Sequence, residues 1–96
     1  NVPDVEAIFY SNDMMAYGGI KFLIRNGYRI PEDVGVIGFD NIGISKFCEP
    51  ELTTISQPIY NMGREACKLL INIIKGSSIP KNRIYFDTDL IIRDTV

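Results

Sequence analysis

Val34-Gly35-Val36-Ile37-Gly38-Phe39-Asp40 is the stretch that decides the fold. Three branched apolar side chains, Val34, Val36 and Ile37, stand among glycines, and there is no charge before Asp40. An apolar run without polar alternation is the pattern of a strand buried on both faces, and such strands belong to parallel sheets covered by helices. The run ends in an acid followed by Asn41. In open parallel α/β sheets, ligands bind in the crevice beyond the carboxyl ends of the strands. Asp40 is therefore the first candidate for a ligand-contacting side chain.

Upstream, Asn1–Glu6 is polar, carries Pro3 and reads as a connection. Ala7-Ile-Phe-Tyr-Ser11 is a first strand. A helix is expected from Asp13 to Asn26, with Asn12 or Ser11 as its N-cap, Asp13 at the positive end of its dipole and Gly27 at the C′ position. Ala16, Ile20, Leu23 and Ile24 form its core stripe at i, i+4, i+7 and i+8. Met14, Met15, Tyr17 and Phe22 lie partly off that stripe, so the helix is apolar on more than one side.

Downstream, Tyr28–Asp33 is a turn, and Asn41–Glu49 holds one or two helical turns closed by Pro50. Leu52–Ser56 is a third strand, β-branched at most positions. A second helix spans Ile59–Lys75 behind Pro58, with a stripe of Met62, Ala66, Leu69, Leu70, Ile73 and Ile74. Gly76 ends it and Ser77–Pro80 is a loop. Arg83–Phe86 and Asp89–Arg93 read as one interrupted strand or two short ones. The fold class is α/β: an open parallel sheet with flanking helices.

The whole chain limits the function. Ninety-six residues, 46% hydrophobic, make one small domain or part of a larger one. The absence of an initiator methionine at Asn1 fits a fragment or a processed product. Ten basic and twelve acidic residues give a net charge of −2, and the basic ones are scattered, which argues against a nucleic-acid surface within these residues. No apolar run is long enough for a membrane span, and no signal peptide is visible. There is no histidine, which excludes His-dependent catalysis and most zinc sites. Cys48 and Cys67 lack metal-ligand spacing and read as free thiols in a reducing compartment.

Strands one to three end in Asn12, Asp40 and Gln57, which a parallel sheet brings to one edge. One carboxylate and two amides suit a small molecule rich in hydroxyls or amides, since the carboxylate accepts and each amide donates and accepts. Each residue also has a plain structural reading: Asn12 as a helix cap, Asp40 as a loop-starting acid, Gln57 as a surface polar group. The case rests on the three together. Asp13 and Asp40 could instead hold Mg²⁺, but no phosphoryl-transfer motif and no phosphate loop accompany them, and Gly18-Gly19 lies inside a helix where it permits close packing. The expectation is no enzyme, no metal and no cofactor.

Ala7-Ile-Phe-Tyr-Ser-Asn-Asp-Met-Met-Ala-Tyr-Gly18, Ile30-Pro-Glu-Asp-Val-Gly-Val-Ile-Gly-Phe-Asp-Asn41, Pro50-Glu-Leu-Thr-Thr-Ile-Ser-Gln57, Gly63-Arg-Glu-Ala66 and Leu90-Ile-Ile-Arg93 together resemble the LacI/GalR family of bacterial transcription regulators. The blocks stand in the family's order and cover essentially the whole chain. The resemblance implies a periplasmic-binding-protein-like fold, of which this is a partial domain: the C-terminal portion of the effector-binding and dimerisation domain. It assigns residues 1–57 and about 91–96 to the C-terminal lobe and about 58–90 to the N-terminal lobe. It makes Asn12, Asp40 and Gln57 effector contacts. It places Met14, Tyr17, Ile44, Phe47 and Cys48 in a homodimer interface. The implied protein is cytoplasmic, senses a sugar or sugar derivative, and reaches DNA only through an N-terminal helix-turn-helix domain outside these residues. The alternatives are a sugar-binding protein of a transport system, which shares the fold but matches the Pro-Glu-Asp and Leu-Thr-Thr-Ile blocks less closely, and a ligand-free interaction domain.

Overall fold

A computed structural model describes residues 4–77 and 83–96. The chain divides into two compact units, residues 1–56 with 89–96, and residues 57–88.

The first unit holds the sheet. Its elements are β1 (Ala7–Phe9), α1 (Asp13–Arg25), β2 (Gly35–Asp40), a 3-10 helix (Gly43–Lys46), β3 (Thr53–Ser56) and β4 (Asp89–Ile91). The strands lie in the order β1-β2-β3-β4. The first three are parallel, as their apolar, β-branched sequences require. β4 departs from the expected all-parallel sheet by running antiparallel to β3, with Asp89 opposite Ser56 and Ile91 opposite Thr54. The reason is topological. The chain leaves the unit after Ser56 and re-enters at Asp89, at the same edge, and a strand that starts beside its neighbour's end can only run back along it. Arg83–Phe86, expected as strand, pairs with nothing in the sheet.

α1 forms where its signals place it. Asn12 Oδ1 accepts from Met15 N at 2.8 Å, Asp13 sits in the first turn and Arg25 in the last, and Gly27 takes the left-handed φ of +84° that its C′ position needs. Ala16, Ile20 and Leu23 are buried with Val34, Val36, Cys48 and Leu52 in one core. Ile24, expected in the same stripe, is half exposed. At about 100° per residue it lies about 80° round the helix from Ala16, outside the strip that β2 covers. Gly19 admits the ring of Tyr10, which occupies the space a Cβ would need, whereas Gly18 faces nothing within 4 Å. Expected to be buried on both faces, β2 is buried on the Val36–Gly38 face, toward α1, and only half-buried on the Ile37–Phe39 face. Among the described residues its unit contains one α-helix, and that helix covers one side.

Thr95 closes the lower end of this sheet. Its hydroxyl donates to Val36 O at 2.6 Å and accepts from Thr53 N at 2.9 Å, while its carbonyl accepts from Val36 N at 2.9 Å.

In the second unit, α2 (Ile59–Ile74) follows Pro58 and has no buried residue. The apolar side chains of its stripe, Met62, Leu70, Ile73 and Ile74 among them, stay open. A cavity of about 220 Å³ lies between Met62, Glu65, Ala66 and Leu69 of the helix and Ile84 and Phe86. Ile84 and Phe86 line this cavity beside the helix, and Arg83–Phe86 forms no ladder among the described residues. The loop expected at Ser77–Pro80 falls mostly outside the described residues.

Candidate functional site

Parallel pairing puts the ends of β1, β2 and β3 on one edge. Asp40 stands opposite Ser56 in the register, and β1 leads through Tyr10, whose N–H donates to Ile37 O at 2.8 Å, to Asn12. β2 does not simply stop there. Asp40 has φ +114° and Asn41 φ +54°, so two successive non-glycine residues turn the chain through left-handed backbone. Asn tolerates that region, but Asp40 lies outside its centre, and such residues cost about 1–3 kcal/mol each unless their surroundings hold them.

The surroundings are a polar cluster beneath the turn. Asp13 is fully buried. Its Oδ2 accepts from Ile42 N at 2.8 Å and its Oδ1 from Thr54 Oγ1 at 2.6 Å. Asn41 is held at every polar group of its side chain and by its N–H: N donates to Thr54 Oγ1, Nδ2 donates to Ser56 Oγ, and Oδ1 accepts from Ser45 Oγ and from Arg93 Nη2 at 2.8 Å. Arg93 Nη1 donates to Ser45 Oγ at 2.8 Å and to Leu52 O at 2.9 Å. Among the described residues no buried side-chain nitrogen or oxygen lacks a partner, the condition for such a cluster to stabilise rather than cost. Gly38 makes room for it, since a Cβ there would run into Asp13 Oδ1 and come within 3.0 Å of Leu52 Cδ2.

Sequence reasoning found the strand ends but missed this cluster. Asp13 was legible only as a first-turn acid or a metal ligand; both its oxygens are instead committed to protein donors. Among the described residues no group of three or more His, Cys, Asp or Glu is placed to hold a metal ion. Thr54 and Arg93 stood in expected strands and in blocks that carry the resemblance, but nothing in the sequence placed them against Asp13 and Asn41.

The structure brings Asn12 and Asp40 to the same sheet edge, both half-buried. Asn12 does serve as a helix cap, which occupies its Oδ1 and leaves its amide NH₂ as the group for other work. Gln57 follows Ser56 directly, is half-buried and falls in the second unit, where its carbonyl accepts from Ile59 N. Of the residues expected in a dimer interface, Met14 and Phe47 are exposed, Phe47 by 84%, and Ile44 is half-buried. Tyr17 packs partly on the core with Lys21 Nζ 5.3 Å from its ring centre. Cys48 is 3% exposed, donates to Ile44 O and belongs to the core, so its side chain is not on the surface. Burial pushes its thiol pKa up, helped by the charge of Asp13 and opposed by Arg93.

A profile of periplasmic binding protein-like domains matches residues 2–96. The chain belongs to that family. Within it, the chain is 45% identical over 87 residues to the HTH-type transcriptional repressor CytR of Escherichia coli K12, covering 91% of this chain and 26% of the repressor. Its structure is similar to that of the transcriptional regulator CelR in complex with cellobiose, with a TM-score of 0.91 and 36% identity over 98% of this chain and 29% of the other. A periplasmic binding protein/LacI transcriptional regulator of Alkaliphilus metalliredigens QYMF, solved with D-xylulofuranose, gives a TM-score of 0.87 and 38% identity, covering 94% of this chain and 34% of its own. This periplasmic binding protein-like domain thus spans about a quarter to a third of the length of these relatives. It is a LacI-type effector-domain segment with an open mixed sheet, and no helix among its described residues is long and apolar enough to cross a membrane.

Proposed function

We propose that this segment contributes the Asp40 side of the effector site in a LacI-type bacterial transcription regulator that controls DNA binding allosterically. The observation that carries the reading is the meeting of Asn12 and Asp40 at one sheet edge, with Asp40 presented on a backbone turn that a complete polar cluster supports. Residues 1–57 and about 91–96 belong to the C-terminal lobe, and about 58–90 to the N-terminal lobe. The ligand is a sugar or sugar derivative, by analogy with the cellobiose and xylulofuranose complexes. The Asp40 carboxylate accepts from ligand hydroxyls, the Asn12 amide donates, and Gln57 does both. Binding that favours one lobe arrangement changes how the regulator presents its DNA-binding domains, and the linkage is reciprocal. The repressor name of the 45%-identical relative favours a regulator over a transport protein. The working form is a cytoplasmic homodimer, with Met14, Tyr17, Ile44 and Phe47 at the contact and no catalytic role.

Asp40→Ala in the intact protein tests this. Calorimetry with cellobiose and D-xylulose as probes should show a loss of about ten- to a hundredfold in affinity, the worth of hydrogen bonds to a charged group at about 1.5–3 kcal/mol. An unchanged dissociation constant refutes the role of Asp40.

A further inference from the structure

We infer that Arg93 is a positioning residue for the effector site: by gripping Asn41 it fixes the left-handed turn that aims the Asp40 carboxylate. The inference rests on the reading of Asp40 as an effector contact and extends it to a residue just past the end of β4. The geometry is specific. The chain at the end of β4 is already joined to β3 by the ladder and by the Arg93 N–H, which donates to Thr53 Oγ1, and Nη1 adds a bond to Leu52 O. The same guanidinium also reaches Ser45 Oγ with Nη1 and Asn41 Oδ1 with Nη2, across sequence separations of 48 and 52 residues. Ser45 Oγ in turn donates to Ile42 O at 2.7 Å and lies 3.2 Å from Asn41 Oδ1, so both ends of the turn are gathered around one cation.

The grip falls where the backbone needs it. Asp40 and Asn41 are the described non-glycine residues with positive φ, and they are adjacent. The backbone that follows Asp40 is pinned by the Asn41 N–H on Thr54 Oγ1 and the Ile42 N–H on Asp13 Oδ2, so the direction of Asp40 depends on what holds Asn41. The planar Asn41 amide is held at both ends, Nδ2 on Ser56 Oγ and Oδ1 on Arg93 Nη2, and Arg93 supplies the charged one of these two partners. Lysine at position 93 has a single nitrogen and cannot span Leu52 O, Ser45 Oγ and Asn41 Oδ1 with a planar fork. A merely structural arginine would lower stability when removed without acting through Asp40.

The test uses the intact protein and has two arms. The first needs no ligand: NMR couplings and Cα shifts report the φ of Asp40 and Asn41. In Arg93→Ala both should leave the positive-φ range while the Val36 amide, held by Thr95, keeps its exchange protection. Arg93→Lys should return the turn part of the way and gives the same comparison where Arg93→Ala does not fold. Asp40 and Asn41 signals unchanged in these variants overturn the inference. The second arm titrates cellobiose and D-xylulose into wild type, Asp40→Ala, Arg93→Ala and the double variant. Arg93→Ala should weaken binding about tenfold when Asp40 is present and no further when Asp40 is alanine. Equal loss in both backgrounds overturns the inference, with the role of Asp40 intact. If Asp40→Ala alone changes nothing, it is the effector reading that fails, and the NMR arm decides separately whether Arg93 holds the turn.

Discussion

Removing the Asp13 carboxylate should destabilise the first unit far more than any ordinary first-turn acid would. Asp13→Ala strands two donors beside a fully buried carboxylate: the Ile42 N–H, now 2.8 Å from Oδ2, and the hydroxyl of fully buried Thr54, 2.6 Å from Oδ1. Hydrogen bonds to a charged acceptor contribute about 1.5–3 kcal/mol each, so the pair sums to roughly 3–6 kcal/mol. Burying the carboxylate has its own desolvation cost, and recovering part of it brings the net to about 2–4 kcal/mol. Asp13→Asn keeps the shape. Its oxygen can still take the Ile42 N–H, and Thr54 can reverse to accept from the amide, so this variant should cost only about 1–2 kcal/mol. Native-state hydrogen exchange at the Val36 amide, which donates to Thr95 O, reads the opening free energy of this unit without assuming that the whole chain unfolds in one step. An Asp13→Ala variant within about 0.5 kcal/mol of wild type, or an asparagine variant as costly as alanine, would refute the assignment of Asp13 as the acceptor that ties α1 to the turn.

Gly38→Ala should cost about 1–3 kcal/mol by overpacking, read as a lower urea midpoint, because its Cβ meets the Asp13 carboxylate and Leu52 on a buried strand. In the folded protein a maleimide should label exposed Cys67 rapidly and Cys48 slowly, since Cys48 is buried and its thiol pKa is raised; mass spectrometry of timed aliquots distinguishes them. Asp33 accepts from Arg29 N, Nε and Nη2, and these hydrogen bonds hold its pKa below the ordinary 3.8. Its contribution should therefore be present at neutral pH and vanish as the pH falls through that lowered value, so wild type and Asp33→Asn converge in acid unfolding; the effect is small because the pair is exposed.

What the sequence could reveal was whatever depends on neighbours in the chain. Asn12 and Gly27 bracket α1 because cap chemistry needs only a few adjacent residues, and Ala16, Ile20 and Leu23 face inward because their spacing matches the helical period. The ends of β1, β2 and β3 meet because parallel strands must. Arg93 was illegible because its meaning lies in Asn41, Ser45 and Leu52, each 41 or more residues away. Asp13 misled for a related reason: its position announced a dipole acid, while its partners come from two later elements. The direction of β4 followed from where the chain returns, and Arg83–Phe86 showed a strand's alternation while its apolar side chains line a helix. Cys48 was expected with Phe47 in an interface, but Cys48 is buried in the core while its neighbour Phe47 is exposed, a difference that sequence adjacency does not reveal.

That β4 and the residues after it are separated from the rest of their unit by Gln57–Thr88 has a consequence for synthesis. On the ribosome, β1, β2 and β3 emerge together, yet Val36 and Thr53 must wait for Thr95, and Asn41 for Arg93, until the whole intervening segment has been made. Closing so long a loop adds little entropy cost compared with a short one, but it must precede any gain from those bonds. The nascent unit therefore waits with an unpaired β3 edge and an unheld turn. A chaperone that shields strand edges, or a translational pause before Asp89, would act on this interval, and the effector site would be the last part of the unit to take shape.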